Sequence, residues 1–145
     1  MKKLFITAFF AIAAFASSFA APKNVTSAIL ANFNATFEEA SDVLWTVNED
    51  YTKAEFVAAS SKMEVYYKAN GDVLARSKGI SLYELPVAAK RRFAKKFEGY
   101  NVTEAIKFEG FDEVAYYISG ENDKESVILK VNDQDMVSVF KKTKK

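Results

Sequence analysis

A short pattern that occurs twice constrains the fold of this chain more than any other feature. FNATFE at 33–38 and FAKKFE at 93–98 place phenylalanine and glutamate at the same spacing, sixty positions apart. Side chains three or four positions apart lie on one face of an α-helix, so each segment predicts a helix with an apolar stripe. Alternating apolar and polar residues, typical of β-strands, follow both segments. The chain is therefore expected to contain two similar units.

The first half is predicted to form one helix and four strands. The helix covers 25–40, where Thr26 or Ser27 can cap the first turn. Asn70-Gly71 is the strongest hairpin signal, because a two-residue turn of this kind needs positive φ at both central positions. The predicted strands are 43–47, 51–59, 62–68 and 72–76.

The second half repeats this order. A helix is predicted to begin after Pro86, which fits the first turn of a helix, and to end at Gly99 in a left-handed conformation. The strands predicted after it are 102–109, 114–120, 126–131 and 136–141. The two units are assigned to 21–80 and 81–145. A unit of about 60 residues has a marginal core, so both are expected to form one compact domain; whether their sheets join stays open.

Sequence matches between the units extend into the strands. AEFVA at 54–58 matches AYYIS at 115–119 at an interval of 61, and Asn70 matches Asn132 at an interval of 62. Loops absorb single insertions easily, which accounts for the change of interval. The segment 132–135 (NDQD) is interpreted as a hairpin turn and not as a calcium loop, because it lacks the glycine and closing glutamate of an EF-hand.

The first twenty residues have the arrangement of a secretory signal peptide. Lys2 and Lys3 precede an uncharged apolar stretch at 4–16, and Ser18 and Ala20 are the small residues of a cleavage site. Cleavage is expected after Ala20, which places the mature protein in the periplasm or outside the cell. A retained membrane anchor is the alternative.

Composition excludes several classes of chemistry. The chain has no histidine and no cysteine, so the usual transition-metal sites and His-dependent catalytic triads have no side chains to form them. Its glycines occur singly, which excludes a glycine-rich phosphate loop. The net charge of +1 gives no overall field to attract nucleic acid. We expect no cofactor, no metal, no catalytic residues and no nucleic-acid partner.

Paired carboxylates are the remaining route to catalysis. They lie at helix ends or between apolar runs, where acidic side chains normally face water. The chain is therefore predicted not to be an enzyme; carboxylate-based hydrolysis would need two acids to converge in a cleft. The pairs are Glu38-Glu39, Glu49-Asp50, Asp112-Glu113 and Glu121/Asp123.

Exposed tyrosines are the candidate contacts for a protein partner. Tyr66 shares its strand face with Glu64 and Lys68, so it is predicted to point away from the core. Either Tyr116 or Tyr117 should do the same, but alternation does not decide which. Tyrosine among mixed charges suits a protein-binding face; cross-strand pairing that only stabilises the sheet is the alternative.

The second helix is strongly basic. Its cations suit the carboxyl-terminal half of a helix and are expected to face solvent. Contact with an anionic membrane or polysaccharide is the alternative, and it would use the same side chains: Lys90, Arg91, Arg92, Lys95 and Lys96.

Several short motifs resemble the PepSY-like, beta-lactamase-inhibitor-like family of secreted proteins found in Bacteroidetes-type bacteria. The match covers about 27–141 and departs from the family at 132–135, where the family has an Asp-rich turn with glycine. The motifs are VLW at 43–45, YTKAEF at 51–56, EVYYKANGDVL at 64–74, LP at 85–86, FEGY at 97–100 and VTEA at 102–105.

The resemblance implies an α+β fold of two tandem helix-plus-four-stranded antiparallel sheet repeats, with the helices on one sheet face. In beta-lactamase inhibitory proteins of similar architecture, open sheet faces form a concave surface that grips an enzyme. The family supplies neither catalytic residues nor a named partner. We therefore expect a monomeric, exported, non-enzymatic binding module, an inhibitor or regulator of an envelope protein. The alternative is an envelope module that binds a small molecule, peptide or glycan between the two repeats.

Overall fold

The computed structural model describes residues 24–145. The predicted signal peptide and its cleavage site at Ala20 lie outside the described residues. Two α-helices, one short 3-10 helix and eight strands follow one another along the described chain. They are α1 (Ser27–Thr36), β1 (Ser41–Val47), β2 (Thr52–Ala58), β3 (Ser61–Tyr67), β4 (Val73–Gly79), the 3-10 helix (Leu82–Glu84), α2 (Val87–Lys96), β5 (Asn101–Gly110), β6 (Val114–Glu121), β7 (Glu125–Val131) and β8 (Val137–Lys144).

All eight strands form one antiparallel sheet, and their order in the sheet is their order in the chain. The two halves meet where β4 pairs with β5, from Ala75 opposite Gly110 to Gly79 opposite Ile106. The open question of whether the two sheets join is thereby answered. The predicted order of a helix and four strands, followed by a second helix and four strands, is present.

Both helices pack against the same face of the sheet. Cross-strand register carries this face from Met63 through Lys78 and Lys107 to Tyr116. Met63 packs under α1 and Tyr116 packs under α2. The sheet therefore has a helix-covered face and an opposite face, which we call the open face, that carries no helix within residues 24–145.

Each helix, with Leu85 just before α2, buries apolar side chains against the sheet. In the first half Ile29 and Phe33 of α1 pack on apolar side chains of β2 and β3; in the second half Leu85 and Ala89 pack on β6 and β7. The partners of α1 are Ala54, Phe56, Val65 and Tyr67, and those of α2 are Ile118, Val127, Leu129 and Val131. Burial of these faces is what the apolar periodicity predicted.

The helix ends follow local chemistry. The Thr26 side chain accepts a hydrogen bond from the Ile29 amide, as predicted for the cap of α1. Both helices are shorter than predicted, because the backbone amides of Phe37 and Phe97 make the last helical bonds. Gly99 has a φ of +84°, the left-handed conformation predicted there.

The turn between β3 and β4 differs from the predicted two-residue turn. Gly71 has positive φ but Asn70 does not, so this hairpin does not use the predicted two-residue turn. The Gly71 amide donates to the Lys68 carbonyl, and the Lys68 amide donates to the Asp72 carbonyl. This is a turn followed by a left-handed glycine, the usual three-residue connection.

The two-residue turn lies instead between β2 and β3. Ala59 and Ser60 have φ values of 48° and 60°, and their neighbours Ala58 and Ser61 pair directly. Positive φ at alanine is uncommon and could not be read from composition, because glycine and asparagine carry that signal.

The strand matches predicted between the halves are wrong in detail. Phe56 lies on the helix-covered face, whereas Tyr117, its predicted equivalent at an interval of 61, lies on the open face. Because the two side chains lie on opposite faces of the sheet, these positions are not structurally equivalent. Asn132 likewise begins its turn, while Asn70 lies inside its own.

Candidate interaction face

A third, smaller apolar cluster lies in the middle of the open face. Tyr66, Ala75 and Phe108 are its buried members, supplied by three neighbouring strands, β3, β4 and β5. Tyr51, Leu74 and Tyr117 pack around them and are partly exposed. Side chains of the sheet thus cover one another on the face that no helix covers.

Tyr66 lies on the predicted face but not in the predicted environment. Only 2% of its surface is exposed, and Glu64 beside it has 0%. The Tyr51 ring stands edge-on to the Tyr66 ring at 5.3 Å. Exposure of Tyr66 and Glu64 was therefore predicted wrongly, because residues on other strands shield both side chains.

Glu64 is the centre of a buried polar group. Its Oε2 accepts hydrogen bonds from the Tyr66 hydroxyl at 2.9 Å and from the Ser77 hydroxyl at 3.2 Å. Lys53 Nζ lies 3.7 Å from Oε1, which has no hydrogen-bond partner within the described chain. Lys53 also pairs with Glu55 at 3.1 Å.

Burial dominates the titration of this group. It raises the pKa of the Glu64 carboxyl above its ordinary value of 4.5, although the Tyr66 hydrogen bond and the Lys53 charge act in the opposite direction. Burial, followed by the Glu64 charge, raises the pKa of the Tyr66 hydroxyl above its ordinary value of 10.0. Tyr66 is therefore a hydrogen-bond donor to Glu64 throughout the physiological range.

The structure decides between the two tyrosines of β6. Tyr117 points to the open face, where its ring contacts Phe108 at 6.4 Å and Phe140 at 5.2 Å. Lys130 Nζ lies 5.9 Å from the Tyr117 ring centre and also pairs with Glu113. Tyr116 points the other way, into the core under α2.

The accessible aromatic part of the open face is thus centred on Tyr117 and Phe140. Tyr117 is partly exposed, and Phe140 on β8 is 44% exposed. Lys68, also predicted for this face, is exposed at the turn after β3. Phe140 was missed, because it follows Val139 directly and two adjacent apolar residues break the alternation. The register shift opposite them, between Ile128 and Leu129, is the structural reason.

A shallow groove lies on the helix-covered face, between the two helices. It has a volume of about 290 Å³ and is lined mainly by charged side chains of β4 and β5. Lys107 Nζ lies 2.5 Å from Glu109 Oε1, and Arg76 approaches Glu109 at 3.9 Å. The Lys107 hydrogen bond lowers the pKa of Glu109. Lys78 stands directly opposite Lys107, which leaves the groove with excess positive charge.

The acidic pairs considered for catalysis are dispersed. Glu121 is partly exposed, and the other acids of the four pairs are exposed, as predicted. Within residues 24–145, no three acidic side chains converge in a way that could hold a metal ion. Neither described helix combines the length and apolar character that crossing a membrane requires.

Comparison with solved structures shows a shared fold. A protein of Bacteroides eggerthii, provisionally assigned to the periplasm, superposes with a TM-score of 0.72 at 13% identity over 83% of this chain and 89% of its own. A DUF2874 family protein from Bacteroides uniformis superposes with a TM-score of 0.68 at 13% identity, over 82% of this chain and 88% of its own. A BLIP-like protein from Bacteroides fragilis superposes with a TM-score of 0.64 at 19% identity, over 83% of this chain and 86% of its own.

These likenesses confirm the predicted beta-lactamase-inhibitor-like architecture at the level of the fold. No family model matches the chain, and no curated protein matches it in sequence. The PepSY-like part of the resemblance stays a prediction.

Proposed function

We propose that this chain is an exported, non-enzymatic binding module that inhibits or regulates a periplasmic or envelope protein through its open face. The observation that carries the proposal is the uncovered side of an eight-stranded sheet with Tyr117 and Phe140 in contact on it. Aromatic side chains surrounded by charged groups are the usual anchors of protein interfaces. Lys130 and Glu113 supply such charges beside Tyr117.

Export supports the same proposal. The apolar segment at 4–16 and the small residues before Ala21 agree with a cleaved signal peptide. A neighbour in fold is provisionally assigned to the periplasm, and another is described as BLIP-like. An inhibitor or regulator of an envelope protein would have to act in that compartment.

The proposal includes two tandem helix-plus-four-strand repeats that form one domain. The helices α1 and α2 each have ten residues. Asn32 of α1 donates to the Gly71 carbonyl at 3.2 Å, and Arg92 of α2 donates to the Asp135 carbonyl at 3.0 Å. Each helix is thus tied to the third hairpin turn of its own half by a side chain at the same helical position. This correspondence favours duplication of one unit.

The binding contacts are reassigned accordingly. Tyr66 and Glu64 are buried within the open face and stabilise it, since neither side chain is accessible to a partner. Tyr117 and Phe140 are the contact residues in their place, and Lys68 lies at the margin. Tyr116 stabilises the α2 core and is not expected to touch a partner.

Site-specific photo-crosslinking tests the proposal. A benzophenone side chain placed at Phe140 should link the protein to one specific envelope partner in living cells. The same group at Tyr83, which is 91% exposed in the 3-10 helix and outside the open face, is the matched control. The partner linked from position 140 should be recovered far less from position 83.

Equal recovery from both positions, or no specific product from position 140, would count against the open face. A second candidate would then gain support, namely a module that binds a small molecule, peptide or glycan in the groove between the helices. The groove volume of about 290 Å³ is at the small end for ligand sites. Ligand-dependent stabilisation that is lost on changing Lys107 to alanine would assign binding to this groove.

A further inference from the structure

The outer edge of β8 is unpaired. β8 is the last strand of the sheet, so along residues 137–144 one side has no strand partner within the described chain. Apart from Val137 its residues are exposed. An edge of this length presents alternate backbone N–H and C=O groups, which an extended segment can pair with as an added strand.

The carboxyl-terminal half of α2 lies beside this edge. A groove of about 400 Å³ is lined by Arg92, Lys95 and Lys96 of α2 and by Val137 of β8. The three cations are spaced three and four positions apart, so they lie on one side of the helix. Arg92 is held in place by its hydrogen bond to the Asp135 carbonyl at 3.0 Å.

These cations have no acidic partner within the part of the chain that the structure describes. Among the described residues, no ion pair involves Arg92, Lys95 or Lys96. The ion pairs of the other basic side chains lie elsewhere, with Lys53, Arg76, Lys107, Lys130, Lys142 and Lys145. A row of uncompensated positive charge along an unpaired strand favours an acidic segment and repels a basic one.

The two faces beside this edge differ. Val139 pairs with Leu129 of the α2 core and so stands on the helix-covered side, as does Val137, which lines the groove with the cations. Phe140 stands on the open side, against Tyr117. An added strand would therefore carry alternating side chains, with carboxylates toward α2 and apolar groups toward Phe140.

We propose that β8 and α2 together bind an extended acidic segment of a partner protein as a ninth strand of the sheet. The segment alternates carboxylate and apolar side chains. Its backbone pairs with the outer edge of β8, and its carboxylates meet Arg92, Lys95 and Lys96. This surface shares Phe140 with the contact residues of the proposed function, but the backbone edge of β8 and the cations of α2 lie outside them. A synthetic peptide can therefore test it without the partner of the proposed function.

A pair of synthetic peptides tests strand addition. The probe is a labelled heptapeptide that alternates glutamate and valine; its control has the same side chains but methylated amides at alternate positions. Fluorescence anisotropy with the mature chain should show binding of the probe alone. Amide hydrogen exchange should slow on alternate residues of β8 when the probe binds, because those N–H groups become paired.

Two substitutions test the role of charge. Lys95→Glu combined with Lys96→Glu should weaken probe binding about tenfold or more, since two attractive contacts become repulsive. Arg91→Glu, on the same helix but outside the groove lining, should have a much smaller effect. Both side chains replaced in the double variant are exposed, and circular dichroism should show that each variant remains folded.

Three results would overturn the proposal. Equal binding of the methylated peptide would show that the groove binds polyanions in general. Displacement of the probe by anionic lipid vesicles, with no change in the amide hydrogen exchange of β8, would lead to the same conclusion. Salt-sensitive self-association that protects β8 without any peptide would assign the edge to a second copy of the chain. Absence of probe binding up to about 1 mM would exclude an affinity of biological use.

Discussion

At the scale of single residues, Glu64 is the most unusual side chain of the protein. A buried carboxylate is costly unless hydrogen bonds and opposite charge compensate it. Glu64 has two hydroxyl donors on Oε2 and an ammonium group 3.7 Å from Oε1, but no hydrogen bond to Oε1. Its compensation is incomplete, and its pKa is raised for this reason.

Glu64 should therefore make the stability of the protein fall as pH rises. Between its ordinary pKa of 4.5 and the raised pKa of the folded state, the folded protein binds more protons than the unfolded chain. In urea unfolding from pH 4.5 to pH 8, the stability of the wild type relative to Glu64→Gln should decrease as pH rises and then level off. The neighbours of position 64 are the same in both proteins, so their own contributions cancel; they are Lys53, Glu55, Tyr66 and Ser77.

Glu109 is a control for which the opposite dependence of stability on pH is expected. Its pKa is lowered by Lys107, so its contribution to stability is present above the ordinary value of 4.5 and is lost as pH falls. The stability of the wild type relative to Glu109→Gln should therefore increase with pH up to the ordinary value of 4.5 and stay nearly constant above it, so this comparison is extended to lower pH. If the Glu64 comparison showed no dependence on pH, or the same sign as Glu109, the contacts of Glu64 would outweigh its burial.

The candidate site shows what alternation along one strand can predict. The two-residue periodicity of a strand correctly predicted that Tyr66 and Glu64 lie on the open face. Their burial depends on Ala75 and Phe108, which belong to the next two strands of the sheet, β4 and β5. A single-strand pattern holds no information on those neighbours. The choice between Tyr116 and Tyr117 required the same register.

At the scale of elements, helix α1 and the β3–β4 turn depend on each other. The backbone of Gly71 has a φ of +93°, and a Cβ atom there would lie 3.1 Å from the carbonyl carbon and oxygen of Ala28. The turn therefore needs glycine for two reasons, its conformation and the closeness of α1. Thr26 and Asn32 add hydrogen bonds from α1 to the carbonyls of Ala69 and Gly71.

Two glycine substitutions separate these reasons. Gly71→Ala should lower the free energy of unfolding by about 2 kcal/mol or more, because strain at positive φ and crowding against α1 act together. Gly99 has a φ of +84°, and a Cβ atom there would meet no other group within 4 Å, so only strain remains. Gly99→Ala should cost about 1 kcal/mol. Urea denaturation measures both.

An equal loss from the two substitutions would mean that α1 moves away from the turn at little cost. In that case the contact between Ala28 and Gly71 would not contribute to the docking of the helix.

Element types were predictable because each helix and strand has its own periodicity. Boundaries were less predictable. β4 continues to Gly79 and β8 to Lys144, beyond the predicted ends at 76 and 141, because pairing with β5 and β7 extends each strand past its last apolar residue. The 3-10 helix at Leu82–Glu84 was missed for a similar reason, since a single turn is too short to show a period.

At the scale of the whole molecule, the pairing of β4 with β5 makes the two halves one structure. Ala75 and Ser77 of β4 and Phe108 of β5 are buried at this junction. Separation between residues 80 and 81 would expose them and create two new edges in the middle of the sheet. Each half would also be left with a single helix and about 60 residues.

Neither half should therefore fold alone. Fragments 21–80 and 81–145, expressed separately, should lack a cooperative thermal transition by circular dichroism, and mixing them should restore one. A fragment with its own cooperative transition would show that this half is independently stable, and the junction would then be a contact between two domains.

The order of the strands in the sheet also bears on how the protein acquires its structure. Because each ladder joins strands adjacent in the chain, no strand must wait for a distant segment before it can pair. A polypeptide threaded through a narrow channel, amino terminus first, could lay down its sheet one hairpin at a time as it emerged. An architecture of this kind is suited to assembly on the far side of a membrane, where a chain without cysteine has no covalent cross-link to hold an incomplete core.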